Sequence, residues 1–455
     1  MEFFHLLRQS PRPLAFGALH SFGSAFGQTF LIALFVPFIS QSLGINETGF
    51  ANIYAGITIA SAAALPFIGR MIDRIDMLRY SLLVMVFLAA GCFVTSTSEN
   101  IPVLIAGLFI LRFAGQGLMS HVSMTSIARY FDRNRGRALA IAAFGFPMAE
   151  AIMPAIFLAL IAGLGWRGAF VTAGIVILLV MVPLACWLVR GNAGFRAVPA
   201  HDSSANSAAA DDKTNGTSSI AKEQPAHNIE PTHTNNATDA VKADRHQTEG
   251  SPHPKLFRSV YIWLSIPMLA GQPLVLTALF FHQSVIASQK NIDLGWFAAG
   301  FTLFAITSVI GAFGSGPLID KFGARRLFPW HLLPLMMAVI VLAMTSTAQI
   351  IPVYMALAGF TTGFATTLRT AIVPELVPLH EIGSVRSSLT AIMVLASSAG
   401  PPIYGWLFAA SVNLPSILIG TVSAMAIATL LSWLAERPGF YRPPHMAQPQ
   451  AARAD

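Results

Sequence analysis

Twelve apolar runs, each about as long as the hydrocarbon core of a bilayer is thick, decide most of what this chain can become. They fall near 13–39, 49–69, 79–97, 101–128, 137–162 and 168–190, and again near 259–287, 295–317, 327–346, 350–373, 385–410 and 413–434. Of the 455 residues, 54% are hydrophobic and 11% charged, where a soluble domain carries about 25% charged side chains. In lipid a spanning segment must satisfy its backbone polar groups within a helix or a closed barrel, and runs this continuously apolar lack the alternation of barrel strands. The expected fold is all-α: a multi-pass integral membrane protein of twelve transmembrane helices.

Basic residues set the orientation. With the N-terminus inside, the inner loops hold Arg70, Arg74, Arg79, Arg129, Arg133, Arg135, Arg137, Lys321, Arg325, Arg326 and Arg386, whereas the outer loops hold only Arg167 and Lys290. Both termini are therefore expected to be cytoplasmic. The net charge of +7 then follows from topology and gives nucleic-acid binding no support. Residues 191–257 break the pattern with Ser, Ala, Asn, Asp, Thr and His, the composition of a disordered cytoplasmic linker. The chain thus divides into a six-helix bundle over 1–190, the linker 191–257, a second bundle over 258–437 and a cytoplasmic tail over 438–455. The linker histidines, His201, His227, His233, His246 and His253, have no metal-ligand spacing, and Cys92 and Cys186 match no metal, redox or disulfide pattern. No metal and no cofactor is expected. Met1 to Pro13 resembles no cleavable signal, so the first apolar run reads as a retained span.

The two sets of six runs are related. A loop signature occurs twice, as Gly69-Arg-Met-Ile-Asp73-Arg74 and as Gly316-Pro-Leu-Ile-Asp320-Lys321, with Arg79 following the first and Arg325 and Arg326 the second. Gly27-Gln28 near Ala33-Leu34-Phe35 likewise matches Gly271-Gln272 near Ala278-Leu279-Phe280. A duplicated set of apolar helices with a charged hairpin at the same place in each copy is how many secondary transporters are built.

On these residues the chain resembles the major facilitator superfamily over essentially all of its length outside the linker. The second loop, with Gly323, Arg325 and Arg326, fits that superfamily's signature at almost every position. The first departs from it, since Asp76 stands where the second glycine is expected. Arg112-Phe-Ala-Gly115-Gln116-Gly117 is similar to the superfamily's Arg-x-x-x-Gln-Gly motif in helix 4. Gly145-Phe-Pro147-Met-Ala-Glu150 matches the antiporter motif of helix 5 poorly, although Gly400-Pro401-Pro402-Ile-Tyr-Gly405 lies in helix 11. The segment from Arg129 to Ala142 is similar to the corresponding loop of monocarboxylate and oxalate-formate type members, but helix 8, Phe297 to Gly316, lacks their charged pair. The resemblance implies two pseudo-symmetric bundles working by alternating access in the cytoplasmic (inner) membrane of a bacterium, a lipid-embedded monomer without enzymatic activity.

An ionisable side chain in the hydrocarbon core costs about 2.5–3.5 kcal/mol on the insertion scale and is a functional candidate by default. At 1.5 Å per residue, Arg112 lies about 16 Å into helix 4 from its outer end and Glu150 about 20 Å into helix 5 from its inner end, both near the midplane. A pair between them would let an anionic substrate compete for Arg112 while Glu150 takes up a proton. A permanent ion pair, or an Arg112 that positions helices through backbone carbonyls, stands beside that reading. Arg369, about 28 Å into helix 10, is either a second anion-binding group, part of a cytosolic gate with Glu375, or a snorkelling side chain. His20 is either a proton shuttle or a packed neutral histidine. Gln28 and Gln272, at matching repeat positions, are either cavity-lining amides or helix-to-helix hydrogen-bond partners, and Gln116 and Tyr54 are further cavity candidates.

Two functions compete. The first is proton-coupled transport of a small organic anion of the monocarboxylate type; the alternative is efflux of a drug-like compound or a secreted metabolite by proton antiport. Gly69, Asp73, Arg74, Gly316, Asp320, Lys321 and Arg325 are expected to form a cytosolic gate apart from the substrate site. Within it the intact second copy should matter more than the degraded first. Transport by Asp320→Asn compared with Asp73→Asn checks that ranking.

Overall fold

The computed structural model describes residues 2–131, 134–190, 259–377 and 382–437. The linker 191–257 with its five histidines, the tail 438–455 and Arg133 lie outside the described residues. In the first half α1 (Glu2–Gln9), α2 (Pro11–Gly23), α3 (Thr29–Leu43), α4 (Glu47–Gly69), α5 (Met77–Ser96) and α6 (Ile101–Ile110) follow one another. A π-helical stretch, Leu111–Met119, joins α6 to α7 (Ser120–Tyr130), and α8 (Arg135–Ala143), α9 (Gly145–Val176) and α10 (Val182–Val189) complete it. The second half holds α11 (Val260–Phe281), α12 (Gln283–Gln289), α13 (Leu294–Phe322), α14 (Ala324–Leu327), α15 (Leu333–Met344), α16 (Ile350–Leu376), α17 (Ile382–Ala409) and α18 (Leu414–Ala435). The described residues contain no strand.

Among the described residues eleven helical stretches are long and apolar enough to cross a membrane. The longest, Arg135–Val189, has 55 residues, which as one helix would extend about 80 Å against a core of about 30 Å. It is broken at Gly165, whose φ of 72° is not helical, inside the gap between the fifth and sixth apolar runs. Several spans begin where a short polar side chain can cap a helix: Asn46, Asp76, Asn100, Asp293 and Asn413 each accept a hydrogen bond from a backbone N–H two or three residues on. Such a cap satisfies one of the donors that a helix start leaves free.

Small residues set how closely the spans pack. Helices α13 and α16 pack together along much of their length, and a Cβ added to Gly363, Gly359 or Gly311 would come within 1.8, 2.1 or 2.3 Å of a carbonyl oxygen of the facing helix. Without a hydrophobic drive between helices in lipid, close backbone approach is what such contacts depend on.

The halves meet through α9 on α13, α4 on α17 and α3 on α11. Thr48 Oγ1 donates to the Gly405 carbonyl at 2.8 Å, and Thr302 Oγ1 to the Ala151 carbonyl at 2.9 Å. Phe281 lies 6.0 Å from Phe50 and 5.1 Å from Tyr54 between ring centroids, and Phe30 lies 5.5 Å from Phe301. These contacts sit at mid-span or toward the end remote from the loop signatures. Along α17, Ala396, Ser398, Pro401, Tyr404 and Gly405 are buried, whereas Ser384, Ser387 and Thr390 toward the signature end are exposed. Exposed hydroxyls on a spanning helix suit water better than lipid. The halves are therefore sealed at one end and parted at the end that carries the charged loops.

Gly363→Ala is expected to lower the thermal midpoint of the purified protein by several degrees, as overpacking of about 1–3 kcal/mol would. Gly314→Ala, on the same helix pair but facing open space, should leave it unchanged.

Candidate functional site

The first span does not cross as one helix. After Gly23 the backbone tightens to a 3-10 turn over Ser24–Gly27, Gln28 is extended at φ −82° and ψ 150°, and α3 restarts at Thr29. Two glycines and a serine within five residues make this the weakest helical stretch of the span. A carbonyl released from a helix in the membrane interior needs another donor. Arg112 supplies it: its Nη1 donates to the Gly27 carbonyl at 2.9 Å and lies 3.4 Å from Thr29 Oγ1. The approach is close because Gly27 and Gly115 face each other, a Cβ on Gly27 falling 2.2 Å from the Leu111 carbonyl and one on Gly115 falling 2.6 Å from the Gly27 nitrogen. Arg112 lies in the π-helical stretch, a form of helix that recurs at functional positions.

Arg112 is 1% exposed, its guanidinium lies over the Tyr54 ring at 4.8 Å, and its Nε has no hydrogen-bond partner. Tyr54, fully buried, donates its hydroxyl to Thr29 Oγ1 at 2.7 Å. Thr29, which receives both side chains, was not singled out in the sequence; its place directly after the repeat-matched Gln28 is the signal that could have found it.

The second half repeats the grip with different atoms. Arg369 Nη1 donates to Gln272 Oε1 at 2.8 Å, and Gln272 Nε2 lies 3.4 Å from Thr362 Oγ1. Gln272 is buried and Arg369 half-buried. Two residues that the sequence proposed separately are thus one unit. Glu375 is not a partner of Arg369; its carboxylate accepts the backbone N–H groups of Ala324 and Arg325 at 2.9 and 3.1 Å.

Glu150 is half-buried on α9, beside the Ala151 carbonyl that receives Thr302 from the other half. It has no hydrogen bond or ion pair among the described residues, and the pair with Arg112 that the sequence allowed is not formed in this structure. Gln28 and Gln116 are also half-buried, and their side chains make no hydrogen bond among the described residues. His20 lies elsewhere, fully buried within the first half, donating from Nδ1 to the Phe16 carbonyl at 2.8 Å and accepting at Nε2 from the Ser81 hydroxyl at 2.6 Å. Both ring nitrogens are committed to packing partners.

The two loop signatures are built differently. In the first, Asp73 forms an ion pair with Arg129, which also donates to the Ile72 carbonyl at 3.1 Å, while His121 donates to the Gly69 carbonyl at 3.2 Å. Asp76, the departure from the repeat, caps α5 by accepting from the Arg79 N–H. In the second, Gly323 ends α13 at φ 82°, a conformation open to glycine, and Arg325 Nε pairs with Glu436 at 2.7 Å. Glu436 also receives the Tyr261 hydroxyl at 2.9 Å. Asp320, Lys321 and Arg74 are exposed, and Asp320 has no ion-pair partner among the described residues. In this structure it is the first copy's aspartate that holds an arginine, although the sequence ranks the second copy higher. The reason is that the partner, Arg129, comes from a different loop, which the repeat does not display.

Comparison with known proteins agrees with this architecture. A family profile described as Major Facilitator Superfamily matches residues 18–385 and 285–454. Uncharacterized MFS-type transporters from two strains of Mycobacterium tuberculosis are 26% identical over 169 residues, 35% of this chain and 24% of theirs. The chain thus matches about a quarter of the length of these curated relatives. Among solved structures, a bacterial homolog of the human lysosomal transporter Spinster, inward-facing and unoccupied, aligns with a TM-score of 0.64 at 15% identity, covering 93% of this chain and 96% of that one. The nucleoside transporter NupG aligns at 0.66 and 10% identity over 94% and 100% of the two chains. A POT family transporter in complex with 5-aminolevulinic acid aligns at 0.65 and 12% identity over 93% and 96%.

The two arginines differ in what their loss leaves behind. Arg112→Leu strands the Gly27 carbonyl in the membrane interior and is expected to destabilise the protein by about 1–3 kcal/mol. Arg369→Leu leaves a Gln272 amide that can turn to Thr362 and should cost less, a difference that thermal unfolding of the purified variants would read.

Proposed function

Because the chain belongs to the Major Facilitator Superfamily and has the fold of its secondary transporters, we propose that it carries a small organic anion of the monocarboxylate type together with a proton. The observation that carries this reading is a charge imbalance. Among the described residues the spans hold guanidinium groups that are buried or half-buried, Arg112 near the midplane and Arg369 nearer the end that carries the loop signatures, against one carboxyl group near the middle, Glu150, and neither arginine has an acidic partner. Uncompensated cations in a low-dielectric interior favour an anionic guest. Arg369, half-buried and oriented by Gln272, is the group a substrate carboxylate meets first. Arg112, 1% exposed, is nearly inaccessible in this structure. Gln28 and Gln116 supply half-buried amides that can orient the guest's remaining polar atoms.

Glu150 carries the proton. It is the one membrane-interior carboxyl among the described residues and lies on α9 where that helix packs on α13 of the other half. An anion and a proton entering together add no net charge to the site, so the loaded carrier can change shape without moving extra charge through the low-dielectric interior. The seal at one end and the parting at the other fit one limb of an alternating-access cycle.

We read Arg135–Val189 as two crossings, which gives twelve, with both termini cytoplasmic and the chain a monomer in the cytoplasmic membrane of a bacterium. The parted end, where the basic loops lie, then faces the cytoplasm. On this reading the bundles 1–190 and 258–437 are the two moving halves.

The substrate class is tested by thermal shift of the purified protein with small mono- and dicarboxylates and with bulky organic cations. Stabilisation by carboxylates that Arg369→Gln abolishes is the expected result, and stabilisation by bulky cations alone would sink the anion reading in favour of drug efflux. For coupling, Glu150→Gln in proteoliposomes should retain substrate exchange and lose uptake driven by a proton gradient. Unchanged gradient-driven uptake at every pH would remove Glu150 from the mechanism.

A further inference from the structure

Tyr54 touches both the candidate site and the opposite half of the molecule. Its ring lies 4.8 Å beneath the Arg112 guanidinium and 5.1 Å from Phe281 of α11, and its hydroxyl is held at 2.7 Å by Thr29. Phe281 in turn lies 6.0 Å from Phe50, and Thr48, two residues before Phe50 on α4, donates to the Gly405 carbonyl at 2.8 Å. Arg112, Tyr54, Phe50 and Phe281 are each at most 1% exposed. A continuous run of contacts thus leads from a membrane-interior cation to the seal between the halves, and Tyr54 is the step in it that belongs to both.

We propose that Tyr54 couples the state of Arg112 to the closed end of the protein, as a positioning residue that transmits and does not itself hold the substrate. This rests on the reading of Arg112 as part of an anion site. In this structure the buried guanidinium sits over the ring, where its charge is attracted to the π electrons. The Thr29 hydroxyl fixes the ring's other end, so the ring is presented to Phe281 in one orientation. Arg112 Nε is buried and has no partner, which leaves the guanidinium a reason to turn toward an arriving carboxylate. An anion that draws it away removes one of the attractions that hold the Tyr54 ring and so loosens the ring's contact with Phe281. A ligand shifts a conformational equilibrium only through interactions that differ between the two states, and this competition for Arg112 is such a difference. Phe281 ends the helix that carries Gln272 nine residues earlier, so the partner of Arg369 and the seal residue move with the same helix.

The test reads the seal directly and needs no known substrate. Ala51 is fully buried, with its Cβ 3.5 Å from the Cβ position of Gly405 across the seal, so Ala51→Cys in a background lacking Cys92 and Cys186 reacts with a maleimide only when that end opens. In purified protein, Arg112→Gln and Tyr54→Leu should each speed labelling by about tenfold, and the double variant should be no faster than the faster single one, as expected of two residues acting through one contact. Tyr54→Phe, which keeps the ring, should remain close to the unmodified rate. Where Tyr54→Leu does not give a monodisperse protein, Phe281→Leu replaces it in the same cycle. An unchanged rate in either single variant, or effects that multiply in the double variant, would overturn the coupling. A carboxylate found in the thermal-shift screen should speed labelling of the Ala51→Cys protein and have no further effect in Tyr54→Leu. If no carboxylate binds, the anion reading fails while the ligand-free cycle still judges Tyr54.

Discussion

One carbonyl oxygen in the wrong place organises the middle of this protein. A helix that breaks inside a bilayer leaves backbone groups that neither water nor lipid can satisfy, and the first span breaks at Ser24–Gly27 and Gln28. The donor that reaches the freed Gly27 carbonyl is Arg112, a charged group whose own burial would otherwise be costly. Each makes the other tolerable. Gly27 and Gly115 let the two backbones come close enough for the bond, and the π-helical stretch Leu111–Met119 carries the arginine there. Replacing any one of these parts leaves the others in an arrangement that lipid penalises.

The second half meets a related problem with side chains in place of backbone. Gln272 occupies the repeat position of Gln28, but α11 stays helical through it; Pro273 withdraws only the N–H that would have met the Leu269 carbonyl one turn earlier, and Arg369 does not reach that carbonyl. The arginine of α16, Arg369, lies further along its helix than Arg112 does along its own and reaches the Gln272 amide instead. One guanidinium is therefore bound to the frame of the protein and nearly inaccessible, whereas the other is bound to a movable amide and half-buried. That difference is the basis for assigning first contact with an anion to Arg369 and a link to the seal to Arg112.

The sequence displayed the fold because the membrane permits so few alternatives. Long apolar runs lead to an all-helical membrane protein, and even the break at Gly165 falls in the expected gap. Depth along a helix was also legible, since 1.5 Å per residue places Arg112 and Glu150 near mid-membrane without any coordinates. What depth does not give is rotation. Whether Arg112 turns toward Glu150 or toward the Gly27 carbonyl depends on where the first span breaks, and that break is a matter of 3-10 and extended residues that hydropathy does not register. Partners from distant loops were hidden for a similar reason: Arg129 for Asp73 and Glu436 for Arg325 lie 56 and 111 residues away. The departure of Asp76 from the repeat looked like decay in the sequence. In the structure it is a helix cap that does the work of starting α5, as Gly323 does the work of ending α13.

The distribution of contacts between the halves bears on how the protein could change shape. The seal is made of aromatic rings and two hydroxyl-to-carbonyl bonds, with no ion pair among its described residues. The parted end is the reverse, with Ser384, Ser387 and Thr390 exposed and the Asp73–Arg129 and Arg325–Glu436 pairs each contained within one half. Ion pairs that stay inside a half need not be broken for the halves to move, and aromatic contacts without directional bonds can slide apart at modest cost. Closing the parted end would instead require exposed charges to leave water, which is penalised unless partners are well placed; the Ser387 and Thr390 hydroxyls already donate to carbonyls of their own helix. A site that is empty gives the molecule no compensation for that step. On the proposed reading a guest that satisfies Arg369 and neutralises the interior supplies it, and the link between binding and motion is then the removal of charge without an acidic partner from the space that must close.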